Sequence, residues 1–112
     1  MKHKESIIGI FLILFFFVGF YSANAIYIIV HEETHKTIFY YYDIDSTVYH
    51  NWKFTESYTI ADREDIIKCD NSCRLSQNMV DVVGYPLYLI YLILVIFLLL
   101  WMINQLIKKL IN

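Results

Sequence analysis

The stretch VHEETHK, Val30–Lys36, contains His-Glu-x-x-His. With that spacing zinc peptidases set two imidazoles on one helical turn and hold a carboxylate beside them as general base. On a helix, His31 and His35 would share a face, and Glu32 would activate a metal-bound water. The chemistry also needs a third protein ligand, a substrate cleft and walls that exclude bulk water. The surroundings argue against all three. Glu33 puts a charge where the peptidase pattern keeps the position uncharged. The following KTIFYYY, Lys36–Tyr42, is β-branched and aromatic, which favours a strand over a continuing helix. The 53 residues from His31 to Val83 are too few for a two-lobed scaffold. The match therefore reads as fortuitous, and the chain as no enzyme, with no catalytic residue and no metal ligand assigned.

Cys69 and Cys73, in CDNSC, are the two cysteines. In an oxidising compartment a local disulfide is their expected state. Its short loop would stabilise less than the roughly 3 kcal/mol of a fifteen-residue loop. The rivals are free thiols, or a zinc site that joins both cysteines to His31 and His35. His3 and His50 have no distinctive surroundings. A Gly-rich phosphate loop, a basic nucleic-acid patch and a haem-ligating histidine within an apolar span are all missing. No cofactor, nucleic acid or small-molecule substrate is expected.

The elements that carry these residues are set by hydropathy. The chain is 58% hydrophobic and 18% charged, and two segments, Ile7–Val30 and Tyr85–Ile103, hold no charge at all. At 1.5 Å per residue they span roughly 36 and 28 Å, against a hydrocarbon core of about 30 Å. A helix of a small soluble protein would need a polar face, and neither has one. The fold class expected is thus a membrane protein with two transmembrane α-helices as a hairpin, joined by an α+β loop holding a β-hairpin and a short helix. The organisation is a tail over 1–6, a first helix over 7–30, a loop domain over 31–83, a second helix over 84–107 and a tail over 108–112.

The beginning imitates a secretory signal, with the basic MKHK, an apolar middle and Ala23–Asn24–Ala25 shaped like a cleavage site. However, Ile26–Val30 extends the apolar run to full spanning length, so the segment is expected to be an uncleaved anchor. Gly19, Ser22, Ala23 and Asn24 then become helix-packing residues. Gly19 and Ala23 lie four apart on one face, where small side chains let another helix come close in lipid.

Lys2, Lys4, Lys108 and Lys109 face only Glu5 in the tails, whereas the loop has five basic and ten acidic residues. This bias places both termini on the cytoplasmic or matrix side. Tyr21, Tyr27, Tyr85 and Tyr88 belong to the outer interface and Trp101 to the inner one.

Within the loop, Thr37–Tyr42 reads as a strand and Asp43–Ser46 as a turn. Thr47–Ile60 then alternates, with Val48, His50, Trp52, Phe54, Glu56, Tyr58 and Ile60 on one, mainly apolar, face. A short helix is expected after Thr59 or Asp62 as N-cap, then a turn at Asp70–Ser72. Pro86 would fall in the first turn of the second membrane helix, where its missing N–H costs nothing. A hairpin and one short helix make a poor independent core, so the loop should pack against something larger.

Phe, Tyr, Met, Ile, Asn and Lys make up 52 residues, and Gly, Ala, Arg and Pro only 9. That bias suits an AT-rich genome. No Asn-x-Ser/Thr sequon occurs. Together these point to an accessory, non-catalytic subunit of a mitochondrial inner-membrane assembly of the respiratory-chain or ATP synthase kind. Its partners would be other membrane protein subunits and lipid. The alternatives are a viral or secretory-pathway membrane protein whose loop binds a partner, and a small oligomeric ion pore.

Overall fold

The computed structural model describes residues 2–111. Two helices, each long and apolar enough to cross a membrane, flank a small antiparallel sheet in the order α1 (Lys2–Tyr41), β1 (Ser46–His50), β2 (Ser57–Ala61), α2 (Asn71–Ile111). A single 3-10 turn, Ile66–Lys68, precedes α2.

Thr37–Tyr41 is helix, not strand, which corrects the reading from residue type. Extending an existing helix adds one hydrogen bond per residue and needs no new nucleus, so α1 overrides local strand preference. Its threonines fit by bonding back along the helix. Thr34 Oγ1 donates to the Val30 carbonyl at 2.7 Å and Thr37 Oγ1 to that of Glu33 at 2.8 Å. The helix ends in a Schellman motif. Asp43 N–H donates to Tyr40 O at 3.0 Å and Ile44 N–H to Phe39 O at 2.9 Å. Asp43, at φ 58°, takes the left-handed position that Gly usually fills and Asp tolerates.

The hairpin forms inside the alternating segment, not across Asp43–Ser46. Ser46 pairs with Ala61 and His50 with Ser57. The chain reverses at Asn51, whose side-chain oxygen accepts the N–H groups of Thr55 (2.9 Å) and Glu56 (3.2 Å). This reversal breaks the single alternation expected over Thr47–Ile60. Tyr58 and Ile60 face outward with Tyr49, and Val48, His50 and Thr59 lie on the half-buried face. Tyr49 and Tyr58 stack across the strands at 5.0 Å.

With Ser57–Ala61 in the sheet, the expected loop helix shrinks to the 3-10 turn. Asp70, read as part of a turn, is the N-cap of α2, and its Oδ1 accepts the Cys73 N–H at 2.9 Å. Consequently Pro86 lies inside α2 and not in its first turn. It removes one backbone donor from an otherwise continuous helix.

The chain divides into two compact units. The first consists of residues up to Asn24 and those from Ile90 on. Here a Cβ on Gly19 would stand 2.7 Å from Leu99 Cδ2, so the glycine admits that buried leucine. Tyr91 also donates its hydroxyl to the Ala23 carbonyl at 2.8 Å. The helix against Gly19 is thus the chain's own α2. Ala23 and Asn24 are half-buried, and Ser22 is exposed.

The second unit, Ala25–Leu89, has a small core of Phe39, Ile44, Cys69 and Cys73, with Tyr42 and Ala61 against it. Cys69 and Cys73 stand at disulfide distance, with Cα atoms 5.1 Å apart.

Candidate functional site

The second unit brings His31 and His35 of α1 together with Asp81 and Gln77 of α2. Because α1 continues through Tyr41, the two imidazoles do lie one turn apart on a helix, with ring centroids 4.9 Å apart. Both point their Nε2 atoms at the same oxygen. His31 Nε2 is 3.1 Å and His35 Nε2 2.9 Å from Asp81 Oδ1. The histidine side chains are 16% and 12% exposed and that of Asp81 47%, so the cluster is walled on the imidazole side and open at the carboxylate.

Neighbouring residues hold this arrangement. Gln77 Nε2 donates to the His35 backbone carbonyl at 3.1 Å, which turns the amide oxygen toward His35 Nδ1. Gly84 is buried, and a Cβ there would come within 2.7 Å of His31 Cε1 and 2.8 Å of Nδ1. Only the bare backbone of glycine leaves room for the ring. The Gly84 carbonyl accepts the Tyr27 hydroxyl at 2.6 Å.

Glu32 does not join the cluster. It is 8% exposed, and its Oε2 lies 2.7 Å from the Thr59 hydroxyl of β2. The same hydroxyl is 3.0 Å from the Glu32 backbone oxygen. The residue that would be the general base of a zinc peptidase is therefore engaged by the hairpin. Its role here is to dock β2 on α1.

Cys69 and Cys73 stand at disulfide distance from each other, and neither is among the residues grouped with His31, His35 and Asp81. His50 is separate, with Nδ1 2.9 Å from Ser57 Oγ across the hairpin. A second acidic group, Asp45, Asp62 and Asp65, surrounds the start of the 3-10 turn. The Asp45 N–H, donating to Asp65 Oδ2 at 3.3 Å, and then Lys68 Nζ, 3.2 Å from Oδ1, hold the Asp65 carboxyl below its ordinary value.

Sequence reasoning missed Gln77, Asp81 and Gly84. The signal was their spacing. Gln77, Asp81, Gly84 and Tyr88 recur at i, i+4, i+7 and i+11, one face of a helix that starts well before the apolar run. Placing the helix start at 84 hid that face. No family model matches the chain, and no curated protein or solved structure matches it either.

Proposed function

We propose that the chain is a two-pass membrane protein acting as a non-catalytic accessory subunit of a larger membrane assembly. The observation that carries this reading is the outward apolar surface. In the most apolar eighteen-residue window of α1 no residue is buried, and in that of α2 only 6% are. A core helix of a soluble protein would bury such side chains. These instead require lipid tails or partner helices, and helical backbone satisfies its own polar groups there.

The second unit adds exposed aromatic and apolar side chains, among them Tyr40, Tyr41, Trp52 and Ile67 at 77–87% exposure. Surface of that type is enriched where proteins meet. Lysine-rich tails support a cytoplasmic or matrix side for both termini, with the acidic residues opposite. Codon-biased composition and the lack of sequons favour a mitochondrial inner-membrane assembly of the respiratory-chain or ATP synthase kind. The engagement of Glu32 by Thr59 supports the non-catalytic part of the reading.

Extraction from its native membrane in mild detergent is expected to recover the chain with other membrane subunits at fixed stoichiometry. A monodisperse single chain would overturn the accessory role, and current carried by the purified chain alone in bilayers would favour a pore. Topology is tested apart from this, in a Cys69→Ser/Cys73→Ser background. A cysteine at position 45 should react with an impermeant thiol reagent from the outer side, while cysteines at positions 4 and 109 stay protected. The reverse pattern would invert the orientation.

A further inference from the structure

We propose that His31, His35 and Asp81 form a binding site for one divalent transition-metal ion of the zinc class. The ligand atoms are His31 Nε2, His35 Nε2 and Asp81 Oδ1. Both ring nitrogens of His35 face acceptors. The His35 backbone carbonyl can only accept, so the nitrogen of the Gln77 amide must face it. Gln77 Oε1 is then the atom beside Nδ1, and Nδ1 must carry the ring proton. In the neutral ring this leaves a lone pair on Nε2, 2.9 Å from a carboxylate oxygen that is itself electron-rich. His31 Nε2 meets the same oxygen at 3.1 Å. His35 Nε2 and the carboxylate oxygen thus meet lone pair to lone pair, and His31 Nε2 adds a third in its Nδ1–H tautomer. A cation among them would relieve this convergence.

The spacing suits a metal. For bonds of about 2.0–2.2 Å, the edge of a tetrahedron between two ligand atoms is about 3.3–3.5 Å. The two N···O distances of 2.9 and 3.1 Å lie a few tenths below that, and all three donor atoms fall within 4.8 Å of one another. A small expansion around an ion completes the geometry. Two imidazoles and one carboxylate are ligands that zinc accepts readily. Gln77 performs the outer-shell task that orients a metal-binding histidine, fixing the tautomer by accepting from Nδ1. Gly84 leaves the space in which the His31 ring can be held. The half-exposed side of Asp81 leaves a fourth position open to water or to a ligand from a partner. With Glu32 turned to the hairpin, the Glu of the His-Glu-x-x-His pattern supplies no base at this site, so the site holds an ion without the peptidase chemistry.

The test uses the full chain in detergent, without a polyhistidine tag, stripped by chelator and titrated with Zn²⁺ under equilibrium dialysis with elemental analysis. One equivalent per chain is expected, with Asp81→Asn and His35→Gln each weakening binding by at least about 100-fold, beyond the typical effect of an outer-shell change. Glu32→Gln and His50→Ala should bind as the native chain does. Co²⁺ in place of Zn²⁺ should give the intense visible absorption of a tetrahedral site. Nitrogen-15 resonances of His35 in the unaltered chain provide a readout free of folding artefacts in variants. On adding Zn²⁺, Nε2 should report metal ligation while Nδ1 keeps its proton. Zinc uptake no greater than a detergent blank, or equal uptake by Asp81→Asn, would overturn the proposal. So would a His35 that stays protonated on both nitrogens in excess Zn²⁺, since the proton would then be the cation the cluster holds.

Discussion

The two units bring α1 and α2 together by opposite means. In the unit formed by the chain's two ends, a glycine makes room and a leucine fills it. Gly19 receives Leu99, and the directed bond from Tyr91 goes to a backbone carbonyl. In the unit Ala25–Leu89, side chains specify one another: His31 and His35 to Asp81, Gln77 to His35, Tyr27 to the Gly84 carbonyl. Dispersion contacts are short-ranged but have no preferred direction, and a leucine can change rotamer at modest cost. Polar contacts to a half-exposed carboxylate and hydrogen bonds to backbone carbonyls require defined atoms at defined distances. The first kind of contact tolerates adjustment. The second fixes helix register.

Substitution at the two close-approach glycines is the strongest way to break this contrast. Gly84→Val should have the largest effect, a loss of about 3 kcal/mol, because the His31 ring cannot move aside without leaving Asp81. Amide hydrogen exchange would show it as lost protection across Ala25–Leu89. Gly19→Leu should cost less, about 1–2 kcal/mol, since the obstructing atom is the free end of Leu99. If Gly19→Leu proved the costlier change, packing and not polar specification would dominate helix pairing.

The smallest effect concerns acid. Asp65 is bonded by the Asp45 N–H and by Lys68, so its folded-state carboxyl ionises more readily than in the unfolded chain. A depressed folded value contributes stability that is present above the unfolded value, about 3.9. It is lost as pH falls through the lower folded value. Protection factors of the Asp65–Cys69 amides, taken against the intrinsic exchange rate at each pH, should therefore fall as pH drops below about 4. Asp65→Asn should abolish that response, and the unit of Gly19 and Leu99 should show no counterpart to it.

Hydropathy made the two helices legible because twenty or so uncharged residues leave few alternatives. Their ends were not legible. Lys36–Tyr41 carries strand-favouring side chains, yet joins a helix whose nucleus lies elsewhere. Asn71–Val83 mixes polar and apolar residues, and without a continuous apolar run it passed for loop until Asp70 is seen to cap it. Strand character was visible in the alternation of Thr47–Ile60, but not the reversal within it, because Asn51 and the left-handed Phe54 make a turn without glycine. For the site, the two histidines stood out at once. Their partner Asp81 lies 46 to 50 positions away on the other helix, and only the pairing of α1 with α2 brings it there.

The short span between Cys69 and Cys73 bears on the order in which the chain can fold. That crosslink joins residues only 4 apart, and the hairpin pairs residues from His50–Ser57 out to Ser46–Ala61. Closing the hairpin's small loop is rapid, whereas the cysteine pair needs little chain entropy to meet and waits only on an oxidant. The bonds that pair the helices, by contrast, connect residues 42 to 68 positions apart. During synthesis, the segment from Ile44 to Cys73 can complete its hairpin and sulfur-centred contacts while the apolar part of α2 is still unmade.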